Sequence, residues 1–375
     1  MIAAIATIAA SVVKFADTTG LPHHFRHCCQ DVAMQIEPAR DNQVHVRAAS
    51  QAISLARAGQ VAEGLDLYRS SIDAMRGEGL PVYLHLILLR DAGAHVAAAF
   101  QRVALSGGAD ISKAFAVPGI PRDEALAEYR SLFAEGVANA RMLANYARIL
   151  SHAGRSEELQ ALMDVDRLLM IRTLDDPAPD GRRLLHEALR DWFRANLDKA
   201  ERLTARLAAV GTYRFANVGA FDNELFEALR PILRRHVDDY IASSAEMPAG
   251  HPMREWAPRG FDLEMFAHYS DGTGYHLPHI HSRGWITGVL YLDCDFGAQA
   301  RPDEGGLHLC PGVDGDASCA GWPNRYIPVH PGMLVLMPSY FTHLTRPLGR
   351  PSHRIVLPFD VADARNLGKK CLEAA

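Results

Sequence analysis

Three histidines and one arginine in the C-terminal half of the sequence have the residue types and spacing of a metal and anion site. His279 and His281 are separated by one residue, and an apolar run from Trp285 to Leu292 follows them. His343 comes after a second apolar run, and Arg354 follows it eleven residues later. Residues i and i+2 of an extended strand point to the same face, so the H-x-H pair would direct two imidazoles at one point.

A third imidazole from another strand would complete a set of three ligands and leave coordination positions open. Such a facial set suits non-haem Fe(II) that must also bind a substrate and oxygen. The six cysteines contain no C-x-x-C pair, which argues against a zinc ribbon or a thioredoxin-type site.

Short strands must position these residues. From about residue 259 the sequence changes to short apolar or alternating runs that are separated by loops rich in Gly, Pro and Asp. Regular short strands without intervening helices predict an antiparallel sandwich or jelly roll. The candidate strands are 261–269, 285–292, 306–310, 325–329, 333–338 and 353–360.

The N-terminal half has helical periodicity from residue 45 to about 170, and further helices are predicted at 184–210 and 221–244. LARAG at 55–59 and LRDAG at 89–93 lie 34 residues apart, which is the period of tetratricopeptide helix hairpins. LSHAG at 150–154 is a third copy outside that register. A generic helical bundle is an equal alternative, and either form offers a groove for a peptide or protein, or a surface for a homodimer.

Length and composition indicate a globular α+β chain. It has 375 residues, of which 48% are hydrophobic and 22% charged, with a formal net charge of −5. We predict a helical, tetratricopeptide-like region at 1–205 and a β-domain with supporting helices at 206–375. No basic stretch indicates nucleic acid or an anionic membrane as a partner. The apolar N-terminus is too short to span a bilayer, and we expect a cytoplasmic protein.

The order of motifs in residues 260–360 resembles that of the iron- and 2-oxoglutarate-dependent oxygenases. An H-x-(D/E)-like pair precedes the strand WITGVLYLD, and a Gly-Gly turn leads into GGLHLCP. The motif P-G-x-L-x-L-x-P, a distal histidine and an arginine on the last strand then follow. The nearest resemblance is to a bacterial group that often carries tetratricopeptide segments, and prolyl hydroxylases are more distant. The resemblance implies a double-stranded β-helix, which is a jelly roll.

Carried over position by position, the resemblance makes His279 the first iron ligand and His343 the distal one. His281 occupies the place where most of the superfamily has Asp or Glu. Two alternatives stay open: a site of three histidines, or a site of two histidines and water in which His281 lies outside the coordination shell. A third imidazole would leave the centre one unit more positive than a carboxylate would.

The resemblance also assigns the remaining candidates. Arg354 matches the arginine that binds the distal carboxylate of 2-oxoglutarate, for which a bidentate guanidinium is suited. Tyr291 matches a tyrosine whose hydroxyl helps to hold that carboxylate. His276 and Trp285 are candidates for the substrate pocket. No catalytic residue is expected beyond the metal centre.

The implied reaction uses Fe(II), 2-oxoglutarate and O2, with ascorbate as an additional reductant, and releases succinate and CO2. Its default result is hydroxylation of an unactivated C–H bond, and the expected substrate is an amino acid, a peptidyl residue or another small molecule. The helical half favours a peptide or protein. The rival interpretations are a cupin-type metalloenzyme, which usually has a Glu where 282–292 has none, and a non-catalytic helical-repeat adaptor.

Overall fold

The computed structural model describes residues 43–74, 94–107, 122–206, 208–295, 304–309, 322–346 and 352–363. The chain divides into two compact units between Arg155 and Ser156. The sequence predicts this boundary at residue 205. The structure places it earlier because segments 170–173 and 201–206 are strands that pair within the second unit.

The first unit is helical throughout its described residues. Apolar residues at helical spacing, such as Tyr68 and Ile72 on one helix and Phe100 on the next, form its core, and the rings of Tyr68 and Phe100 lie 5.0 Å apart. Its helices are α1 (Gln43–Arg57), α2 (Val61–Ala74), α3 (Ala94–Ser106), α4 (Arg122–Ala134) and α5 (Ala140–His152).

Two of the three Ala-Gly pairs lie in the described residues, and each follows a helix that ends with the same type of turn. Gly59 and Gly154 have φ of 89° and 69°, a backbone region that glycine adopts at no steric cost. Gln60 N donates to Leu55 O at 3.0 Å and Arg155 N donates to Leu150 O at 2.9 Å, as in the Schellman motif. The pair at 92–93 lies outside the described residues, and the tetratricopeptide likeness stays a prediction.

The second unit begins with helices and continues as a sheet. The helices are α6 (Ser156–Leu162), α7 (Val165–Leu168), α8 (Leu185–Ala195), α9 (Glu224–Ser244) and α10 (Pro252–Glu255). The strands are β1 (Met170–Thr173), β2 (Glu201–Arg206), β3 (Ala209–Phe215), β4 (Phe261–Met265), β5 (Ala267–His279), β6 (Ile286–Asp295), β7 (Leu307–Leu309), β8 (Arg325–Ile327), β9 (Met333–Pro338), β10 (His343–Thr345) and β11 (His353–Asp363).

The described strands form an antiparallel sheet in the order β1-β9-β6-β11-β5-β10-β7-β8. Strand β4 pairs with β11, and the β2–β3 hairpin joins through β3 to β5. Strands distant in sequence are therefore neighbours, so that His343 on β10 lies opposite His279 on β5. This arrangement confirms the prediction of a helical region followed by a jelly roll.

Aromatic residues of α8 and α9 support the sheet. Trp192 and Phe193 on α8 pack on Phe226 of α9 with ring centroids 5.0 and 5.7 Å apart, and Phe193 contacts Phe215 of β3 at 4.9 Å. The predicted helix at 184–210 is wrong beyond Ala195, because residues 201–206 pair with β3 as a strand. The helices in the described ranges include none long and apolar enough to cross a membrane.

Candidate metal and cosubstrate site

The three predicted histidines converge in the structure. His279 ends β5, His281 lies in the following turn, and His343 begins β10. One possible ligand atom from each lies within 4.8 Å of the others. The ring centroids of His279 and His343 are 4.3 Å apart, and that of His281 lies 5.1 Å from His343. These distances place the three nitrogens within reach of one metal ion.

Each histidine of the triad has its Nδ1 engaged in a hydrogen bond. Nδ1 of His279 donates to Leu277 O at 2.7 Å, and Nδ1 of His343 donates to Phe341 O at 3.0 Å. Nδ1 of His281 donates to a carboxylate oxygen of Asp360 at 2.6 Å. A carbonyl or carboxylate oxygen accepts only, so each Nδ1 carries the proton and each Nε2 keeps its lone pair. The triad therefore offers three Nε2 atoms as ligands.

Burial favours the neutral, metal-binding form of His279 and His343. Desolvation lowers the pKa of His279 to about 4, and the nearby His281 contributes in the same direction. The pKa of His343 is also lowered well below its usual value, first by burial and then by His279 and His281. Neutral imidazoles bind a cation without first releasing a proton from the coordinating nitrogen.

Backbone pairing, rather than strand alternation, places His281. The sequence argument put both histidines of the H-x-H pair on one strand, but only His279 belongs to β5. His281 N donates to Ser339 O at 3.1 Å, which fixes the turn against the end of β9. Gly284 lies so close to Ser339 and Asp360 that an added Cβ would meet them at 2.9 and 3.2 Å. A side chain there would displace the turn that carries His281.

Arg354 is a buried cation without a counter-ion in the described part of the chain. It lies on β11 between Ser270 of β5 and Cys294 of β6, and it is 4% exposed. Its Nη2 makes no hydrogen bond within the described residues. Burial lowers the pKa of the guanidinium. An unpaired buried charge is costly, and a ligand carboxylate that accepts from the guanidinium would satisfy it. Arg354 therefore fits the carboxylate of 2-oxoglutarate.

Tyr291 is buried near Arg354. It lies on β6, opposite Val356 of β11, and is 1% exposed. Burial raises the pKa of the Tyr291 hydroxyl, while the positive charge of Arg354 acts against that rise. A protonated phenol beside the guanidinium can donate a hydrogen bond to the same carboxylate, which is the part that the resemblance assigns to it.

The two candidates for the substrate pocket differ in their surroundings. His276 lies beside the triad, with its ring 5.8 Å from that of His279 and 4.8 Å from that of His268. Its pKa is lowered by burial first, and the charges of His268, Arg354 and His279 add to this. His276 therefore lies in the field of both the triad and Arg354. Trp285 is buried, with its ring 6.1 Å from that of Trp256, and its place in a pocket stays a prediction.

Sequence reasoning missed Asp360 and His268. Asp360 lies six residues after Arg354 on β11, and this even spacing places both on one face of the strand. That spacing was the available signal for Asp360. His268 lies on β5 opposite Val356, and only the pairing of β5 with β11 brings it to the site.

Residues 264–360, about a quarter of the chain, match the family model described as "Putative 2OG-Fe(II) oxygenase". Among solved structures, a prolyl-4-hydroxylase from Pseudomonas putida is 16% identical with a TM-score of 0.37, over 54% of this chain and 96% of that one. HygX from Streptomyces hygroscopicus, with nickel and 2-oxoglutarate bound, is 12% identical with a TM-score of 0.32, over 55% of this chain and 87% of that one. No curated protein matches the chain.

Proposed function

We propose that the protein is a 2-oxoglutarate-dependent Fe(II) oxygenase that hydroxylates an unactivated C–H bond of an amino acid or a peptidyl residue, since residues 264–360 match the family model of such oxygenases. The observation that carries the proposal is that a possible metal site and a possible carboxylate-binding arginine occur on neighbouring strands of one sheet. One ligand nitrogen from each of three histidines lies within 4.8 Å of the others near β5 and β10, and a buried guanidinium without a described counter-ion lies on the neighbouring strand β11.

His279, His281 and His343 would hold the iron through Nε2, and three protein ligands would leave coordination positions for other ligands. When bound, iron with 2-oxoglutarate and O2 supplies an oxidative decarboxylation that yields succinate and CO2 and drives hydroxylation. Arg354 would bind the distal carboxylate of the cosubstrate through charge-assisted hydrogen bonds. The hydroxyl of Tyr291 would donate to that carboxylate as well.

The walls of the site would keep water from the reacting groups. The triad member His343 is 5% exposed, and Arg354 and Tyr291 are 4% and 1% exposed. Electrostatic interactions are stronger in such an environment than in water, so a carboxylate at Arg354 is bound more tightly than at the surface. Leu277, next to His276 on β5, is 46% exposed. This apolar side chain offers a contact for a substrate that approaches His276.

The helical unit supports a peptide or protein substrate. Gly59 lies in the short turn between α1 and α2, and Gly154 lies in a turn of the same type after α5. Stacked helix hairpins provide grooves for extended partners. Recruitment of a protein partner and homodimerisation are the two uses that we propose for this unit. We further propose that the protein acts in the cytoplasm without binding nucleic acid or a membrane.

Turnover measurements test the substrate class. The full-length protein would be loaded with Fe(II), ascorbate and 2-oxoglutarate and offered free amino acids and a peptide library in parallel. We expect succinate formation to rise with at least one of them, and mass spectrometry should show that the same compound gains one oxygen atom. If succinate forms at an unchanged basal rate with every amino acid and peptide while another small molecule is oxidised, the substrate class is wrong although the domain assignment stands.

A further inference from the structure

One histidine of the triad is held differently from the other two. Nδ1 of His279 and Nδ1 of His343 donate to neutral backbone carbonyls two residues away. Nδ1 of His281 donates instead to the carboxylate of Asp360, which is 79 residues away on β11, at 2.6 Å. This ion-pair geometry joins two side chains that are only 8% and 10% exposed. The contact therefore links the loop after β5 to the far end of β11.

His281 and Thr287 donate hydrogen bonds to the carboxylate of Asp360. Thr287 Oγ1 donates to the same carboxylate oxygen at 3.5 Å, and the hydroxyls of Thr287 and Ser339 are 2.8 Å apart. Within the described ranges, Asp360 has no ion pair with a lysine or arginine. A buried carboxylate without a cationic partner is costly. A metal-bound imidazole whose N–H it accepts would lower that cost.

We propose that Asp360 is a positioning residue that supplies the negative charge of the metal centre through His281. Three neutral imidazoles bring no negative charge to a divalent cation, and the contact between Asp360 and His281 brings one to within a single hydrogen bond of a ligand. The inference rests on the proposed function, because it assumes that the triad binds the metal. It takes His281 as a direct ligand through Nε2, which is one of the two alternatives for this residue.

Two physical effects follow from this contact. The hydrogen bond fixes the tautomer and the ring orientation of His281, and the negative charge raises the basicity of its Nε2. Together such contacts typically change metal affinity by about 10–100-fold. Asparagine at position 360 would keep an oxygen that accepts from Nδ1 in nearly the same volume, but it would remove the charge. The Asp360→Asn variant therefore separates charge from positioning.

The first test is a titration of the metal-free, full-length protein with Co(II) and Ni(II), measured by calorimetry or by competition with a chelating dye. We expect Asp360→Asn to bind both ions about 10–100-fold more weakly than the wild type. The matched control is Asp293→Asn. Asp293 is another carboxylate that is buried on the sheet, but it pairs with Arg194, and its replacement should leave the metal affinity unchanged.

A second pair of variants tests whether Asp360 acts through His281. In His281→Ala, the imidazole whose Nδ1 donates to Asp360 is removed. Adding Asp360→Asn to His281→Ala should therefore leave the metal affinity unchanged, whereas it weakens binding in the wild-type background. A residue that served only to hold the fold would weaken binding in both backgrounds, and thermal unfolding of each variant reports its folding.

The outcomes separate this inference from the proposed function. If the wild type binds neither ion, the proposed function fails and this inference fails with it. If the wild type binds metal and Asp360→Asn binds it equally well, the inference alone is overturned. If Asp360→Asn weakens binding by the same factor in the wild-type and in the His281→Ala background, Asp360 does not act through His281 and the inference is again overturned.

Discussion

His279, His343 and Arg354 lie on one sheet and His281 in the loop after β5, but the polar atoms of the triad and of Arg354 are satisfied in different ways. Every Nδ1 of the triad donates to an oxygen of the protein itself. Nη2 of Arg354 has no such partner within the described residues, although the side chain is 4% exposed. The metal end of the site, formed by the histidine triad, is therefore oriented before any ion binds. The arginine end, formed by Arg354, would gain a partner for its Nη2 when an anion binds.

This difference separates two tasks of the protein. Pre-oriented imidazoles favour metal binding because little ordering is needed when the ion binds. Because Nη2 of Arg354 has no hydrogen-bond partner within the described residues, we expect this guanidinium to lower the stability of the ligand-free protein. An anion that accepts from it should raise that stability. Metal affinity and 2-oxoglutarate affinity should accordingly respond to different substitutions.

The largest effect should come from the metal end. His343→Ala removes one of the three proposed Nε2 ligands and should weaken binding of Co(II) or Ni(II) by about a hundredfold or more, because losing a ligand costs more than the about 10–100-fold that loss of a residue behind a ligand costs. Calorimetry on the metal-free protein measures this. His330→Ala is the control, because His330 is exposed and donates through Nδ1 to Pro331 O. An unchanged affinity in His343→Ala would exclude this residue as a ligand.

The next effect concerns the arginine end. Arg354→Met should weaken 2-oxoglutarate binding to the Fe(II)-loaded, anaerobic protein by about a hundredfold, because hydrogen bonds to charged groups contribute about 1.5–3 kcal/mol. Metal affinity should stay within about threefold of the wild type, a difference in binding free energy of less than about 1 kcal/mol, because Arg354 is not one of the proposed metal ligands. Arg325→Met, at a surface ion pair with Asp166, is the control. Parallel loss of metal and 2-oxoglutarate binding would contradict the separation of the two ends.

Arg354→Met should also stabilise the protein when no ligand is present. Replacing a buried charge by an apolar side chain of similar size is often stabilising by about 1–4 kcal/mol. Urea unfolding of the metal-free protein measures this change. In the metal-loaded wild type, but not in the metal-loaded variant, saturating 2-oxoglutarate should raise the unfolding midpoint further. A lower midpoint for ligand-free Arg354→Met would show that the guanidinium already has a partner.

The smallest effect is a pH dependence that involves His268. Burial lowers its pKa to about 3, and the charges of Arg214, Arg354, His279 and His281 add to the shift. Between pH 6.5 and 3 the unfolded chain binds a proton at this position and the folded protein does not, so stability falls as the pH falls. His268→Asn should reduce the loss of unfolding free energy between pH 7.5 and pH 5 by about 1–2 kcal/mol.

This pH prediction is checked by urea unfolding of the metal-free wild type and variant at both pH values. The slopes, rather than the absolute stabilities, are compared, because the substitution also changes the packing of His268 with His276. Equal slopes for the two proteins would mean that His268 is protonated equally in the folded and unfolded states.

The sequence predicted those parts of the fold and site that depend on local signals. The turns at Gly59 and Gly154 follow from Ala-Gly pairs at helix ends, and the apolar run around Arg354 predicts a buried strand. The convergence of His279, His281 and His343 was predicted from the H-x-H spacing and from the resemblance in motif order. The reason given for His281 was incomplete, since backbone pairing with Ser339 places it.

Other features depend on pairing between distant segments. Residues 201–206 have a composition that suits a helix, yet they form a strand because Ala205 and Val210 pair across a hairpin that joins β5. Tertiary context overrides helix propensity in this way because propensity is a weak preference. The contact between Asp360 and His281 depends on β11 lying beside β5 and β6. No local pattern specifies that neighbourhood.

One measurement tests the central claim that the triad and Arg354 together hold Fe(II) and 2-oxoglutarate. Fe(II) and then 2-oxoglutarate are added without oxygen to the wild type, His343→Ala and Arg354→Met, and the visible metal-to-ligand charge-transfer band is recorded. We predict a band in the wild type that is lost in His343→Ala and, at cosubstrate concentrations that saturate the wild type, absent from Arg354→Met. Metal binding in the wild type without any such band would contradict the claim and favour a metalloenzyme that does not use 2-oxoglutarate.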